Sequence, residues 1–181
     1  LEIGSLLGAD VPFCVTGGTC LGTGKGDILE RIEPPLKLNL VLIKPRFLSI
    51  STPFMFKQYD QSLDKQDFID RITDRAILAW KSGNLEDFYK SLSNDFETIF
   101  YKLYPEFIKL KELLLELGCS SVNLTGSGPT MYATVPDREK AKLVTGKMEN
   151  HRRSYPDEIF YKHGHLDLKV VQSCFPDKNS D

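Results

Sequence analysis

A single acidic residue near the start of the chain is the first candidate for chemistry. Asp10 lies between Gly8-Ala9 and Val11-Pro12, in a stretch that otherwise holds small and apolar residues. A carboxylate in such a stretch is costly to bury unless it is paired or used, and it can accept a proton in acid–base catalysis. The alternative is a helix-capping or turn aspartate, and the local pattern taken alone favours that alternative.

A glycine cluster, Gly126-Ser127-Gly128, is the second candidate because it lies between two segments rich in strand-forming residues. Glycine permits positive φ angles and lets backbone N–H groups converge on an anion. A hairpin made only for its turn more often uses Asn-Gly or Asp-Gly. The cluster is therefore interpreted as either a plain turn or an anion-facing loop.

The glycine-rich segment over 17–26 invites comparison with nucleotide-binding loops and matches neither common type. A P-loop needs Ser or Thr where Gly26 stands and glycine where Thr19 stands. Asp27 occupies the place of the third glycine in a dinucleotide-binding motif. This segment is predicted to form a pair of turns around a short strand, which could border a phosphate site.

Metal-ligating residues are isolated in the sequence. His163 and His165 could lie on one face of a strand, but no carboxylate or cysteine accompanies them, and loop histidines explain the pair. The 4 cysteines are scattered without a Cys-x-x-Cys pair. This spacing disfavours zinc and favours reduced thiols in a reducing compartment. No metal site is predicted.

Composition places the chain among ordinary globular proteins. It has 181 residues, of which 41% are hydrophobic and 27% are charged, enough to bury a sizeable core in one domain or two small ones. The formal net charge of -2 argues against a nucleic-acid partner held by bulk charge. No apolar run approaches the roughly 18 residues of a membrane span.

Hydrophobic spacing predicts the elements that must position these residues. A buried strand is predicted over 38–43, followed by a helix through about Tyr59 with Thr52 as its N-cap and Pro53 at its first position. Further helices are predicted over 66–81, 85–92, 94–104, 105–117 and 137–148, and further strands over 121–125, 130–135, 158–162 and 168–173. Strands and helices are segregated, which indicates an α+β fold with a small antiparallel sheet covered on one face.

Several motifs follow one another in an order that is more specific than any one of them. They are residues 7–13 (LGADVPF), 22–27 (GTGKGD), 42–45 (LIKP), 51–53 (STP), 94–95 (ND) and 124–128 (LTGSG). Together they resemble the second part of a GHMP-type small-molecule kinase. Within that superfamily they are most similar to the 4-diphosphocytidyl-2-C-methyl-D-erythritol kinases of non-mevalonate isoprenoid biosynthesis, and the resemblance covers nearly the whole chain.

The resemblance implies a GHMP kinase fold and a role for each candidate residue. Asp10 matches the catalytic aspartate, which would accept or orient the proton of the attacking hydroxyl. Thr52 and Phe56 match positions on the cytidine side of the substrate, and Gly126-Ser127-Gly128 matches a loop that shapes the substrate and phosphate region. The implied reaction is ATP-dependent phosphorylation of the erythritol 2-hydroxyl of a cytidine-diphosphate-linked polyol. ATP is the implied donor, Mg²⁺ is expected, and no nucleic acid or membrane is an implied partner.

The family's ATP loop, its catalytic lysine and most of its cytosine-reading residues would lie before residue 1, and the chain opens with Leu1 rather than Met. Residues 1–35 are therefore predicted to be the remainder of an N-terminal ATP lobe, 36–175 a GHMP kinase C-terminal domain, and 176–181 a polar tail. The chain alone is expected to be inactive. The alternatives are a non-catalytic binding module of the same fold and a GHMP kinase for another small alcohol. The expected compartment is a bacterial cytosol or a plastid stroma.

Overall fold

The structure of the protein is a computed structural model that describes residues 2–33, 36–62, 69–155 and 166–172. The predicted strand over 158–162, the histidines 163 and 165, and the tail over 176–181 lie outside the described residues. The first residues of the helix predicted over 66–81 also lie outside them.

The described residues alternate between short helices and two small sheets. The helices are α1 (Glu2–Leu7), α2 (Val11–Thr16), α3 (Thr52–Gln61), α4 (Ile69–Ser82), α5 (Leu85–Ser91), α6 (Phe96–Leu103), α7 (Glu106–Glu116) and α8 (Arg138–Ser154). The strands are β1 (Cys20–Thr23), β2 (Ile28–Arg31), β3 (Asn39–Pro45), β4 (Ser121–Leu124), β5 (Met131–Val135) and β6 (Leu166–Gln172).

The larger sheet has the strand order β4-β5-β3-β6, and every neighbouring pair is antiparallel. The central strand β3 places Val41 and Ile43 on one face, as the two-residue period of a strand requires, and both side chains are fully buried. Ile43 pairs with Met131 of β5 on one side and with Leu168 of β6 on the other. The two central strands therefore present a continuous apolar face.

Helices cover that apolar face and form the main hydrophobic core. Helix α7 contributes Phe107, Leu110 and Leu114 at the i, i+3, i+7 spacing of one helix face, and all three are fully buried. Met55 of α3 and Phe100 of α6 join the same core. The predicted α+β fold, a small antiparallel sheet covered by helices, is confirmed.

A second, smaller core holds the N-terminal hairpin against helices α4 and α5. Strands β1 and β2 pair with each other, and Ile32 just after β2 packs with Trp80 of α4 and with Phe88 and Tyr89 of α5. The rings of Trp80 and Phe88 meet edge to face, with centroids 4.9 Å apart. This hairpin cluster attaches the first thirty or so residues to the rest of the fold, and it confirms the turns and short strand predicted over 17–26.

The N-cap of helix α3 lies one residue earlier than the sequence predicts. Ser51, rather than Thr52, is the N-cap, and its Oγ accepts a hydrogen bond of 3.4 Å from the Phe54 amide. Proline lacks an N–H and is tolerated in the first turn of a helix, so Pro53 is compatible with either cap, and the observed bond identifies Ser51. The prediction of Thr52 as N-cap is therefore wrong, and the Thr52 hydroxyl is left for another partner.

Candidate active site beside the β4–β5 loop

The loop over 125–130 joins β4 to β5 and contains the predicted glycine cluster. Gly126 and Gly128 have φ angles of 55° and 78°, a region that side chains other than glycine rarely adopt. The Thr125 amide donates to the Thr130 carbonyl at 2.9 Å, and the Gly128 amide donates to the Thr125 carbonyl at 3.1 Å. The loop is thus closed on itself, and its shape requires the two glycines.

The N-terminus of α3 lies against this loop. The hydroxyl oxygens of Thr52 and Ser127 are 3.0 Å apart and share a hydrogen bond, and we call these two residues the hydroxyl pair. Thr52 is exposed and Ser127 is half-buried, so their hydroxyls remain accessible from solvent. The structure therefore joins two residues that the sequence indicates separately, and it does so at a helix end that carries a partial positive charge.

An exposed aromatic ring stands one helical turn along α3 from the hydroxyl pair. Phe56 is 53% exposed, and its ring meets that of Phe96 edge to face, with centroids 5.0 Å apart and planes at 90°. We call these two residues the aromatic pair. Phe96 is held in turn by Tyr59, at 5.9 Å. An exposed ring fixed on one side by a partly buried neighbour can stack on a planar group of a ligand.

The aromatic residues of α6 and its C-terminal end pack in the main core. Phe100 is fully buried, and Phe96, Tyr101 and Tyr104 pack against the same core. Phe96 has an additional position in the site, because it supports Phe56.

Asn94, just before α6, contacts both parts of the site. Its Nδ2 donates to the carbonyl oxygens of Leu124 and Gly126, each at 2.9 Å, and its Oδ1 accepts from the Phe96 amide at 2.9 Å. In the sequence this residue contributes only to the resemblance. The signal that could have singled it out is its place in the Asn-Asp motif, which local pattern alone interprets as a helix start.

Glu97 binds the same end of β4 from the first turn of α6. One carboxylate oxygen accepts from the Leu124 amide at 2.7 Å, and the other is 3.1 Å from the Lys111 ammonium. Burial, and then the charge of Glu97, raises the pKa of Tyr132 on β5 to about 12. Tyr132 is therefore a neutral phenol at physiological pH. The charged partner of Glu97 is the Lys111 ammonium.

Asp10 lies on a different part of the fold. It precedes α2 with φ -81° and ψ -16°, its side chain makes no capping hydrogen bond, and it is exposed. Within the ranges the structure describes, no hydrogen bond or ion pair joins Asp10 to Thr52 or Ser127. The structure thus brings Thr52, Phe56 and Ser127 together, and places Asp10 on the segment that the hairpin cluster attaches.

The described residues contain neither a cluster of metal-ligating side chains nor a membrane-spanning helix. Over the described ranges, no group of three or more His, Cys, Asp or Glu side chains could hold a metal ion. The cysteines 14, 20 and 119 are free thiols, and burial raises the pKa of Cys119 to about 11. In the part of the chain that the structure describes, no helix has both the length and the hydropathy to cross a bilayer.

The two loop glycines are expected to differ in their tolerance of a methyl group. A Cβ at Gly128 would lie 2.9 Å from Cδ1 of Leu124, which is buried, whereas a Cβ at Gly126 would meet nothing within 4 Å. Both substitutions strain a positive φ, at about 1 kcal/mol or more, and only Gly128→Ala adds overpacking, typically about 1–3 kcal/mol. We expect the larger loss of unfolding free energy for Gly128→Ala, measured by urea denaturation.

The control for this comparison is Gly146→Ala. A Cβ at Gly146, on the exposed side of α8, meets nothing within 4 Å and needs no positive φ, so alanine there should stabilise the helix slightly. Equal losses for the two loop variants would show that the Leu124 side chain moves aside.

Comparison with known protein families finds a match that covers the middle and later part of the chain. The family described as GHMP kinases C terminal matches residues 76–153, a range that begins within α4 and includes the glycine loop. Among curated proteins, the 4-diphosphocytidyl-2-C-methyl-D-erythritol kinase of Moorella thermoacetica is 36% identical over 156 residues, covering 86% of this chain and 53% of the relative. The kinase of the same name from Caldanaerobacter subterraneus is 40% identical over 139 residues, covering 77% of this chain and 47% of the relative.

Solved structures share the fold. A crystal structure of 4-(cytidine 5'-diphospho)-2C-methyl-D-erythritol kinase superposes with a TM-score of 0.64 at 19% identity, over 94% of this chain and 56% of that one. Homoserine kinase from Cytophaga hutchinsonii superposes with a TM-score of 0.65 at 19% identity, over 91% of this chain and 50% of that one. The chain spans about half the length of the curated relatives it matches. The resemblance to this group of proteins and to their fold is confirmed.

Proposed function

Since this chain carries a GHMP kinase C-terminal domain on a GHMP kinase fold, we propose that it is the C-terminal portion of an enzyme that transfers phosphate from ATP to a small alcohol. The proposed acceptor is the erythritol 2-hydroxyl of 4-diphosphocytidyl-2-C-methyl-D-erythritol. The names of the Moorella and Caldanaerobacter relatives support this substrate. The observation that carries the proposal is the hydroxyl pair beside an exposed aromatic ring, a site for a ligand with both phosphates and a planar base.

Each proposed residue has a role that its surroundings allow. Phe56 stacks on the cytosine ring, because more than half of its surface is open and Phe96 holds its other side. Within the hydroxyl pair one hydroxyl donates to the other, so the accepting hydroxyl keeps its own proton to donate to a substrate oxygen. The loop amides near Gly126 add donors to an anionic group. Donors fixed in place before the ligand arrives lose little entropy on binding.

Asp10 is the proposed proton acceptor. As the substrate hydroxyl oxygen bonds to the γ-phosphorus of ATP, the bond from that phosphorus to ADP breaks, and the hydroxyl proton passes to the Asp10 carboxylate. Its exposed position before α2, with no hydrogen bond to its own helix, leaves both oxygens free for this role. Phosphoryl transfer depends mainly on positioning and charge stabilisation, and no magnesium ligand is assigned to this chain.

We propose that residues 1–35 complete an ATP lobe supplied by upstream sequence, and that 36–175 form the C-terminal domain. The support is an apolar surface on α1 and α2, where Leu6, Leu7 and Val15 are 86%, 77% and 74% exposed. Leu6 and Leu7 are neighbours on α1, and exposed apolar side chains grouped on a surface are typical of a contact with another protein segment. A chain without that lobe is expected to show no turnover, in either the bacterial or the plastid setting of the pathway.

Ligand binding tests the proposed site without needing turnover. With the proposed upstream lobe present, we expect cytidine 5'-diphosphate to bind in isothermal titration, and Phe56→Ala to weaken that binding by roughly 5- to 150-fold, because stacking of a base on an aromatic ring is worth about 1–3 kcal/mol. Phe54→Ala is the matched control, since Phe54 lies on the same helix and is also exposed. Absence of binding, or an equal loss in both variants, would contradict the proposed site.

A kinase for another small alcohol is the second candidate, because the homoserine kinase structure superposes as well as the erythritol kinase structure. The two are separated by thermal shift on the protein with its upstream lobe present, since a ligand that binds only the folded state raises Tm. Stabilisation by the cytidine-linked substrate supports the first candidate. Stabilisation by homoserine or mevalonate instead supports the second, and no turnover with any of the three supports a non-catalytic module.

A further inference from the structure

We propose that Asn94 is a positioning residue that holds the glycine loop and the aromatic pair at a fixed separation, and so sets the affinity for the cytidine end of the substrate. This inference rests on the proposed function, because it assigns a ligand to the site between them. Asn94 need not touch the ligand. It acts through the backbone groups that it binds on either side.

The amide of Asn94 is fully used. A primary amide offers two N–H donors and one carbonyl acceptor. Here Nδ2 donates to Leu124 and Gly126, and Oδ1 accepts from Phe96, with all three bonds at 2.9 Å. Leu124 ends β4, Gly126 lies in the loop, and Phe96 carries the ring that supports Phe56. A single side chain therefore connects both parts of the site.

The position of Leu124 explains why the loop needs such a contact. Strand β4 is at the edge of the sheet, and an edge strand leaves backbone groups without a strand partner. The Leu124 amide is bound by Glu97 and the Leu124 carbonyl by Asn94, so α6 takes the place of a further strand. The last residue of β4 is thereby fixed to the helix that also holds Phe96.

The amide group of Asn94 is required by the chemistry of its partners. Aspartate has nearly the same shape, but it would place a carboxylate oxygen against two carbonyl oxygens while keeping an acceptor for the Phe96 amide. The two hydrogen bonds from Nδ2 to the carbonyl oxygens would then be lost, and the carboxylate would repel those oxygens. The loop would move away from α6, and the hydroxyl pair would move with it, because Ser127 follows Gly126 directly.

The test compares Asn94→Asp with Asn39→Asp. Asn39 also donates to a backbone carbonyl, that of Pro136 at 3.3 Å, but it pairs with Val135 at the end of β5 far from the loop. Affinity for cytidine 5'-diphosphate is measured by isothermal titration with the upstream lobe present, at a temperature where each variant is folded. Amide hydrogen exchange is followed at Thr125 and Gly128, whose N–H groups close the loop.

We expect Asn94→Asp to weaken binding by about tenfold or more and to speed exchange at Thr125 and Gly128, with Asn39→Asp within about twofold of wild type. If Asn94→Asp does not fold, Asn94→Ser replaces it, because serine can still accept from the Phe96 amide and is too short to reach both carbonyls. Wild-type affinity in the folded Asn94 variant overturns the inference and leaves the proposed function standing. Absence of binding by the wild type overturns the proposed function. In that case the exchange rates still test the inference, because unchanged exchange at Thr125 and Gly128 in the Asn94 variant would show that Asn94 does not position the loop.

Discussion

Replacement of Asp10 by asparagine should lower kcat by about two to four orders of magnitude in the protein with its upstream lobe present. A positioned general base contributes about 10²–10⁴ to a rate, and asparagine keeps the shape of the side chain without its ability to accept the proton. The exposed carboxylate makes no capping hydrogen bond, so the fold should be unchanged. The measurement is steady-state transfer of phosphate to the cytidine-linked substrate, with circular dichroism as the check on folding.

Asp74→Asn is the matched control for this prediction. Asp74 is an exposed carboxylate on α4, and its replacement removes the same charge from another surface. We expect kcat to stay within about twofold of wild type, since Asp74 is outside the proposed site and an exposed charge is screened by salt. Turnover of Asp10→Asn near the wild-type rate would remove Asp10 from the mechanism and leave the ligand-binding roles of Thr52 and Phe56 to be judged separately.

Truncation of Phe100 to alanine should cost the domain about 3–5 kcal/mol of unfolding free energy. Its ring is fully buried and meets Tyr101, Tyr104 and Phe107 at centroid distances of 5.4, 5.4 and 5.0 Å. Removing it leaves a cavity that close-packed neighbours fill only in part. Such a loss is a large share of the roughly 5–15 kcal/mol that stabilises a typical domain, and urea denaturation followed by circular dichroism measures it.

Leu103→Ala is the control on the same helix. Leu103 is 37% exposed, so its truncation creates no enclosed cavity and should cost less than about 1 kcal/mol. A Phe100→Ala loss of similar size would mean that the main core refills the space, and that α6 is held chiefly by the bonds of Asn94 and Glu97.

The fold could be predicted where apolar residues recur in the sequence at the regular spacing of a helix or strand. The stripe Phe107, Leu110 and Leu114 indicates α7, and all three side chains are buried as expected. The six-residue helices α1 and α2 were not predicted, because they are too short to show a helical period and α2 contains Pro12. The cap of α3 differs by one residue for another reason: Ser51 and Thr52 are both good caps, and the Thr52 hydroxyl bonds to Ser127, a residue distant in the sequence.

The site could be predicted only as separate residues. Thr52 and Ser127 were indicated by resemblance, but their 3.0 Å contact joins residues 75 apart in the chain, and no local pattern encodes such a contact. The same holds for Asn94, whose local pattern is that of a helix start and whose bonds to Leu124 and Gly126 depend on where β4 ends. Tertiary contacts of this kind need the sheet order before they can be inferred.

The hairpin cluster has a practical consequence for spectroscopy. The chain contains 1 tryptophan, and that indole, Trp80, lies in the cluster that attaches the segment with Asp10 rather than in the sheet's own core. Its fluorescence emission therefore reports on the packing of that cluster, which includes the docking of the N-terminal segment. A red shift that precedes the loss of far-ultraviolet ellipticity during denaturation would reveal undocking as a step of its own, with the glycine loop still in place.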